Sequence, residues 1–378
     1  MKILKVLTIL SLFIVMLGLT SCTKEAGIKE AGKLSTSDCP RLASLTAEKK
    51  EALYTVSTYA GENYTTPDQP YSGDIIDGVL CKARFIRPYG IAINPEGVIY
   101  IADEISNIRK IDTKGMVSVF AGTTDGGGFD KGDQDGIGIT ARFSSPRKIV
   151  LDKGGNQFLI DASGISIRKI TSTAQVSTFI GASRELGYMD GPLAQARFDT
   201  RFSSIATGPD GSIYLYSYSE SSLIRKITLN GIVSTYAGQI PVNGQAQRGY
   251  RDGPKENALF GNIADMTFGP DGALYFCDAV NRKIRKITAS GIVETIADVT
   301  ARSIAISEKG SVFVASGVEV SRIDPNGIVE NIAGNEGISA HKDGIGTEAR
   351  FRSIKHMAIH KNYLYLTDGS TVRRMSIE

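Results

Sequence analysis

Short runs of β-branched and aromatic residues recur along the chain, separated by turns rich in Gly, Asp and Asn. The string Ile-Arg-Lys-Ile occurs at 108–111, 167–170, 224–227 and 284–287, with weaker copies at Val320–Ile323 and Val372–Met375. Each copy follows a run such as Gly97-Val-Ile-Tyr-Ile-Ala-Asp103, and before that an apolar run such as Gly90-Ile-Ala-Ile-Asn94. An alternating strand comes after, such as Val117-Ser-Val-Phe-Ala-Gly122. Each unit therefore reads as four short strands joined by tight turns. Six such units predict an all-β fold, a six-bladed β-propeller of four-stranded antiparallel blades. The sixth unit ends after its third strand, while Val56-Ser-Thr-Tyr-Ala-Gly61 stands alone upstream of the first. That N-terminal strand is expected to complete the last blade and close the ring, leaving no open end.

The first residues break this pattern. Lys2 and Lys5 precede an apolar run from Val6 to Leu19, too short and too poorly flanked for a stable membrane span. It ends in Leu19-Thr20-Ser21-Cys22, which resembles a bacterial lipobox. The resemblance implies cleavage before Cys22 and lipid attachment there; several acyl chains on one residue give lasting anchorage. The expected organisation is a signal peptide at 1–21, a lipid-anchored tether at 22–50 and a propeller at 51–378. Thr23, rather than Asp, follows Cys22. The expected location is the bacterial cell envelope, outside the cytoplasm, at the outer membrane or cell surface.

Composition narrows function. The 378 residues are 42% hydrophobic and 22% charged, the balance of a folded protein. Taking Lys2 and Lys5 from the 43 basic residues leaves 41 against 40 acids, so a mature chain has no overall charge to draw nucleic acid. Trp is absent, which weighs against sugar sites and aromatic cages, and three His leave multi-histidine zinc chemistry nearly excluded. Outside the cytoplasm Cys39 and Cys81 could form a disulfide, whereas Cys277 lies in a strand-like run and reads as a small buried side chain.

Three motifs carry the resemblance to a family: Pro-x-Gly-Ile-Ala, Ile-Tyr-Ile-Ala-Asp, and an Asn shortly before Ile-Arg-Lys-Ile. They are clearest at Pro88–Ile111 and Gly269–Ile287. The units resemble NHL repeats over roughly 54–378, which implies a six-bladed propeller of TolB-like architecture. Family members bind proteins or RNA, and related propellers are enzymes, so the resemblance speaks to fold more than to activity.

Two recurrent features and one variable one are candidates for function. The Arg-Lys pair on the third strand reads as a structural pair facing the Asp that ends the second strand (Asp103, Asp161, Asp278, Asp368). A motif Asp-Gly-x4-Ala-[Arg/Leu]-Phe begins at Asp77, Asp135, Asp190, Asp252 and Asp343, with arginines at Arg84, Arg142, Arg197 and Arg350. Its spacing suggests a short helical turn with Asp as N-cap. The five inserts should enlarge one face and leave a notch at blade 5, where Ala297 leads almost directly into Ile304, and this asymmetry would suit a partner. The variable feature is the opening of the inner strand: Gly90, Lys148, Ser204, Asp265, Ser303 and His356. These should ring one mouth of the channel, with Lys148, Asp265 and His356 on alternate blades. A loop at 126–136 has a calcium-site flavour but lacks the regular spacing and terminal Glu.

The reading that follows is a lipid-anchored, monomeric binding or scaffolding propeller for an envelope protein or peptide. It lacks an evident catalytic set, any nucleic-acid role and any expected cofactor; a divalent cation such as calcium is the minor alternative. The competing reading is a hydrolase, lactonase or lyase acting at the channel mouth, where a lactonase-type metal set would need more acids than Asp265.

Overall fold

The computed structural model describes residues 52–62, 75–124, 131–161, 165–181, 185–198, 201–218, 222–240 and 247–377. The leader, Cys22, the tether at 22–50, Cys39 and residues 126–130 of the calcium-like loop lie outside them. Residues Met1–Ser35 also lie outside, and the unit Thr36–Glu378 holds the propeller. No helix among the described residues is long and apolar enough to cross a membrane.

The described chain is all-β and forms six antiparallel sheets. In blade 1 the inner strand Pro88–Ile93 pairs with Ile99–Asp103, then Asn107–Ile111, then the outer strand Met116–Gly122. Blades 2 to 4 repeat this order. Blade 5 comprises Ser303–Ile306, Val312–Ala315, Glu319–Ile323 and Val329–Gly334. Blade 6 takes Ile354–His360, Tyr363–Asp368 and Thr371–Ser376 from the C-terminus and Thr55–Ala60 from the N-terminus. The closing strand therefore lies where the repeat places it, with Ser57 opposite Arg374.

The apolar residues of neighbouring sheets face one another in six clusters, one at each junction of adjacent blades. Both faces of every blade are thus covered, which explains second strands buried at all positions, such as Ile99–Asp103. The cluster between blades 6 and 1 mixes residues from both termini with the first repeat, so ring closure is held by packing as well as by pairing.

Two expectations are corrected. Five blades have five strands, because the Asp-Gly insert returns along the outer strand: Gly78–Val79, Gly136–Ile137, Gly191–Pro192, Gly253–Pro254 and Gly344–Ile345 each pair there. The inserts thus widen the rim of their blades rather than one face. The Asp is not an N-cap. The short 3-10 turns at Gly138–Thr140 and Gly346–Glu348 are preceded by Ile137 and Ile345, and Asp135 and Asp343 face an arginine instead. A carboxylate beside a buried guanidinium gains more than one aimed at a single turn of amides.

Candidate functional site

The inner strands bring their variable residues to the propeller axis in the expected register. Gly90 pairs with Ala102, Ser204 with Tyr216, Asp265 with Cys277 and Ser303 with Ala315. A bulge just before this position turns the residue inward in blades 1, 3 and 4. At Gly90 only glycine fits, because an added Cβ would lie 2.0 Å from the Arg147 carbonyl oxygen of blade 2.

Asp265 is the hub. Its Oδ1 accepts from Lys148 Nζ and from the Met266 amide at 3.0 Å. Its Oδ2 accepts from Ser303 Oγ at 2.9 Å and from the Ile304 amide at 3.0 Å, and lies 3.5 Å from His356 Nε2. His356 Nδ1 accepts from the Ile91 amide at 3.2 Å, which leaves the ring proton on Nε2, toward Asp265. Ser303 Oγ accepts in turn from the Met357 amide at 3.1 Å. Blades 1, 2, 4, 5 and 6 are joined through this one carboxylate. Blade 3 contributes Ser204, whose buried hydroxyl has no hydrogen-bond partner among the described residues.

The network is closed to solvent. Lys148 is 5% exposed, His356 8% and Asp265 1%. Burial alone would raise the Asp265 carboxyl, but the Lys148 ammonium and His356 outweigh it and hold the group well below the ordinary carboxylate range. Burial, reinforced by Asp265, pushes the Cys277 thiol well up, so this free cysteine is a poor nucleophile. The set cannot act as a Ser-His-acid relay, because Ser303 donates to Asp265 and not to a histidine. Among the described residues no cluster of three or more His, Cys, Asp or Glu could hold a metal ion. Outside the plug, Arg302, the residue just before Ser303, is exposed.

The insert residues are taken up by the fold. Arg109 is fully buried; it reaches Asp77 at 2.7 Å and the Arg84 carbonyl at 2.7 Å, with its guanidinium over the Phe85 ring. Arg168, Arg225, Arg285 and Arg373 repeat this with Asp135, Asp190, Asp252 and Asp343, over Phe143, Phe198, Phe260 and Phe351. Arg84 pairs with Glu62 and Arg197 with Glu185, whereas Arg142 and Arg350 donate to nearby carbonyls. The long-range Arg–Asp pairing was not read from sequence. Its signal was there: blade 5 lacks both the insert and the arginine, with Ser321 in its place. Cys81 is disulfide-bonded; Cys277 is free, so its partner lies outside the described residues.

Comparison with known proteins agrees with this architecture. The Teneurin NHL domain family matches residues 34–129. Teneurin-3 of Mus musculus is 26% identical over 244 residues, 60% of this chain but 9% of that protein. The chain thus spans about a tenth of the length of this curated relative. Among solved structures, an auxiliary nutrient binding protein from Bacteroides thetaiotaomicron superposes with a TM-score of 0.60 at 12% identity, over 86% of this chain and 77% of that one. A catalytically inactive virginiamycin B lyase from Staphylococcus aureus with quinupristin superposes at 0.50 and 14% identity, over 86% and 100%. At such identities the likeness is one of fold.

Proposed function

We propose that this six-bladed propeller, whose repeats are similar to the NHL type, works as a lipid-anchored binding or scaffolding protein of the cell envelope that holds a protein or peptide. The observation that carries this reading is the filled axis. Lys148, Asp265, Ser303 and His356 satisfy one another in a buried plug, so a substrate would have to break an ion pair to enter. The third-strand arginines are likewise spent on the insert aspartates. What remains for recognition is the outer surface.

The test uses the full chain in native envelopes. Photo-crosslinking residues replace the exposed Arg302, next to Ser303 of the plug, and Glu330 on blade 5. Capture of one discrete partner supports the reading. Turnover of lactones or esters by the purified chain, abolished by Asp265→Asn, overturns it in favour of a channel enzyme. Anchorage is checked separately: Cys22→Ser should release the chain from membranes.

A further inference from the structure

Five blades close their outer edge in one way. In blade 1, Gly78 lies opposite Val117, and Asp77 takes the next outward amide, that of Val119, at 3.2 Å. Blades 3, 4 and 6 show the same bond, from the amides of Thr235, Thr295 and Thr58 to their insert aspartates at 2.9–3.0 Å. The third-strand arginine neutralises that aspartate.

Blade 5 keeps the register and loses the closure. Ile323 lies opposite Val329 as Ile111 lies opposite Val117, so Val329 and Asn331 present the equivalent outward backbone groups. No described strand pairs with that edge. The charge is also inverted. Where other blades have a buried arginine there is Ser321, and the half-buried Glu319 carboxylate, accepting from Asn331 Nδ2 at 3.3 Å, stands beside it. Glu330 is exposed on the edge strand itself, opposite Arg322, which Tyr54 and Glu330 both engage; Glu319, on the face of Ser321, is the carboxylate left to set the sign.

Resting on the binding reading above, we propose that the edge of Val329–Gly334 accepts an extended segment of a partner polypeptide as a fifth strand. That segment carries Lys or Arg where the chain's own inserts carry Asp. The five inserts show that a strand of two paired residues with one charged side chain, helped by a packed phenylalanine, occupies this edge, and the Glu319 carboxylate fixes the sign of that charge in blade 5. An open edge without an occupant is a liability that folds normally cover.

The probe is a peptide of residues Tyr188–Phe198 of this chain carrying Asp190→Lys, added to the full-length protein. It should slow amide exchange at Val329 and Asn331 and bind about tenfold tighter than the unaltered peptide, the like-charge and opposite-charge cases differing by that much at a part-exposed site. Asn331→Pro removes the outward amide at an edge, where proline is tolerated, and should abolish protection. Glu319→Lys should reverse the peptide preference without touching the backbone. Equal binding of both peptides, or protection on another blade, overturns the proposal. So does an Asn331 amide already protected without peptide, since residues 1–51 or a second copy would then hold the edge. A partner captured in envelopes equally by wild type and Asn331→Pro overturns the edge alone; no partner at any crosslinking position overturns the binding reading itself.

Discussion

Blade 5 and the five blades around it share four strands, yet they differ at three positions that change together. The insert is absent, Ser321 replaces the buried arginine, and the preceding outer strand is followed by Asp298 where the others reach a glycine. The glycine explains the link. Gly122 has φ +93°, and a Cβ there would lie 2.9 Å from Phe143 of the next insert and 2.4 Å from the Ser106 carbonyl. Gly61, Gly238 and Gly334 abut Phe85, Phe260 and Phe351 in the same manner. Arginine, phenylalanine, aspartate and glycine are therefore one device that fastens an insert. At the axis blade 5 is not the exception, since Ser303 bonds Asp265 as part of the plug.

The largest effect should separate the two kinds of blade. Arg285→Ala leaves Asp278 buried beside an empty site and frees Asp252, at a cost of about 3–5 kcal/mol. Ser321→Ala in blade 5 should cost within about 0.5 kcal/mol. Urea unfolding of both variants measures the difference; comparable losses would mean that the arginine does not fasten the insert.

The axial plug should respond to pH. The Asp265 carboxyl is depressed in the folded chain, so its contribution is present above its unfolded value near 3.8 and is lost as pH falls below that. Asp103 and Asp368, raised by burial, work in the opposite direction and lose stability as pH rises through their folded values. At neutral pH, Asp265→Asn strands Lys148 and should cost about 3 kcal/mol, with the gap to wild type narrowing as the pH of urea unfolding is lowered toward 3. A gap independent of pH would remove Asp265 as the ionised hub. In blade 5, Ser303→Ala strands the Met357 amide and should cost about 1–3 kcal/mol, well above Ser321→Ala.

Much of this was legible in the sequence, because repetition makes it so. The six units, the displaced strand at Thr55–Ala60 and the ring of inner residues follow from aligning turn glycines, and the structure places Lys148, Asp265 and His356 in contact. The fifth strand was not legible. A two-residue strand such as Gly191–Pro192 is too short to show a period, and its aspartate reads equally as a helix cap. Arg109 and Asp77 stand 32 residues apart, so only their joint absence from blade 5 could have linked them. The role of Ser303 needed coordinates, since a small hydroxyl in a strand signals nothing by itself.

The smallest effect tests whether the glycine belongs to the blade or to the next insert. If every outer strand needed it, Asp298→Gly would relieve strain and stabilise the chain. If it serves only to admit a phenylalanine, nothing waits to be admitted at blade 5. Asp298 has ordinary backbone angles, since its φ is not positive. The substitution then only loosens the unfolded chain, at about 0.4–1 kcal/mol, and removes the exposed contact to Lys283. Thermal unfolding of Asp298→Gly should therefore show a small fall in midpoint. A rise would assign the glycine to the blade itself, and the insert-fastening device would shrink to the arginine, the aspartate and the ring.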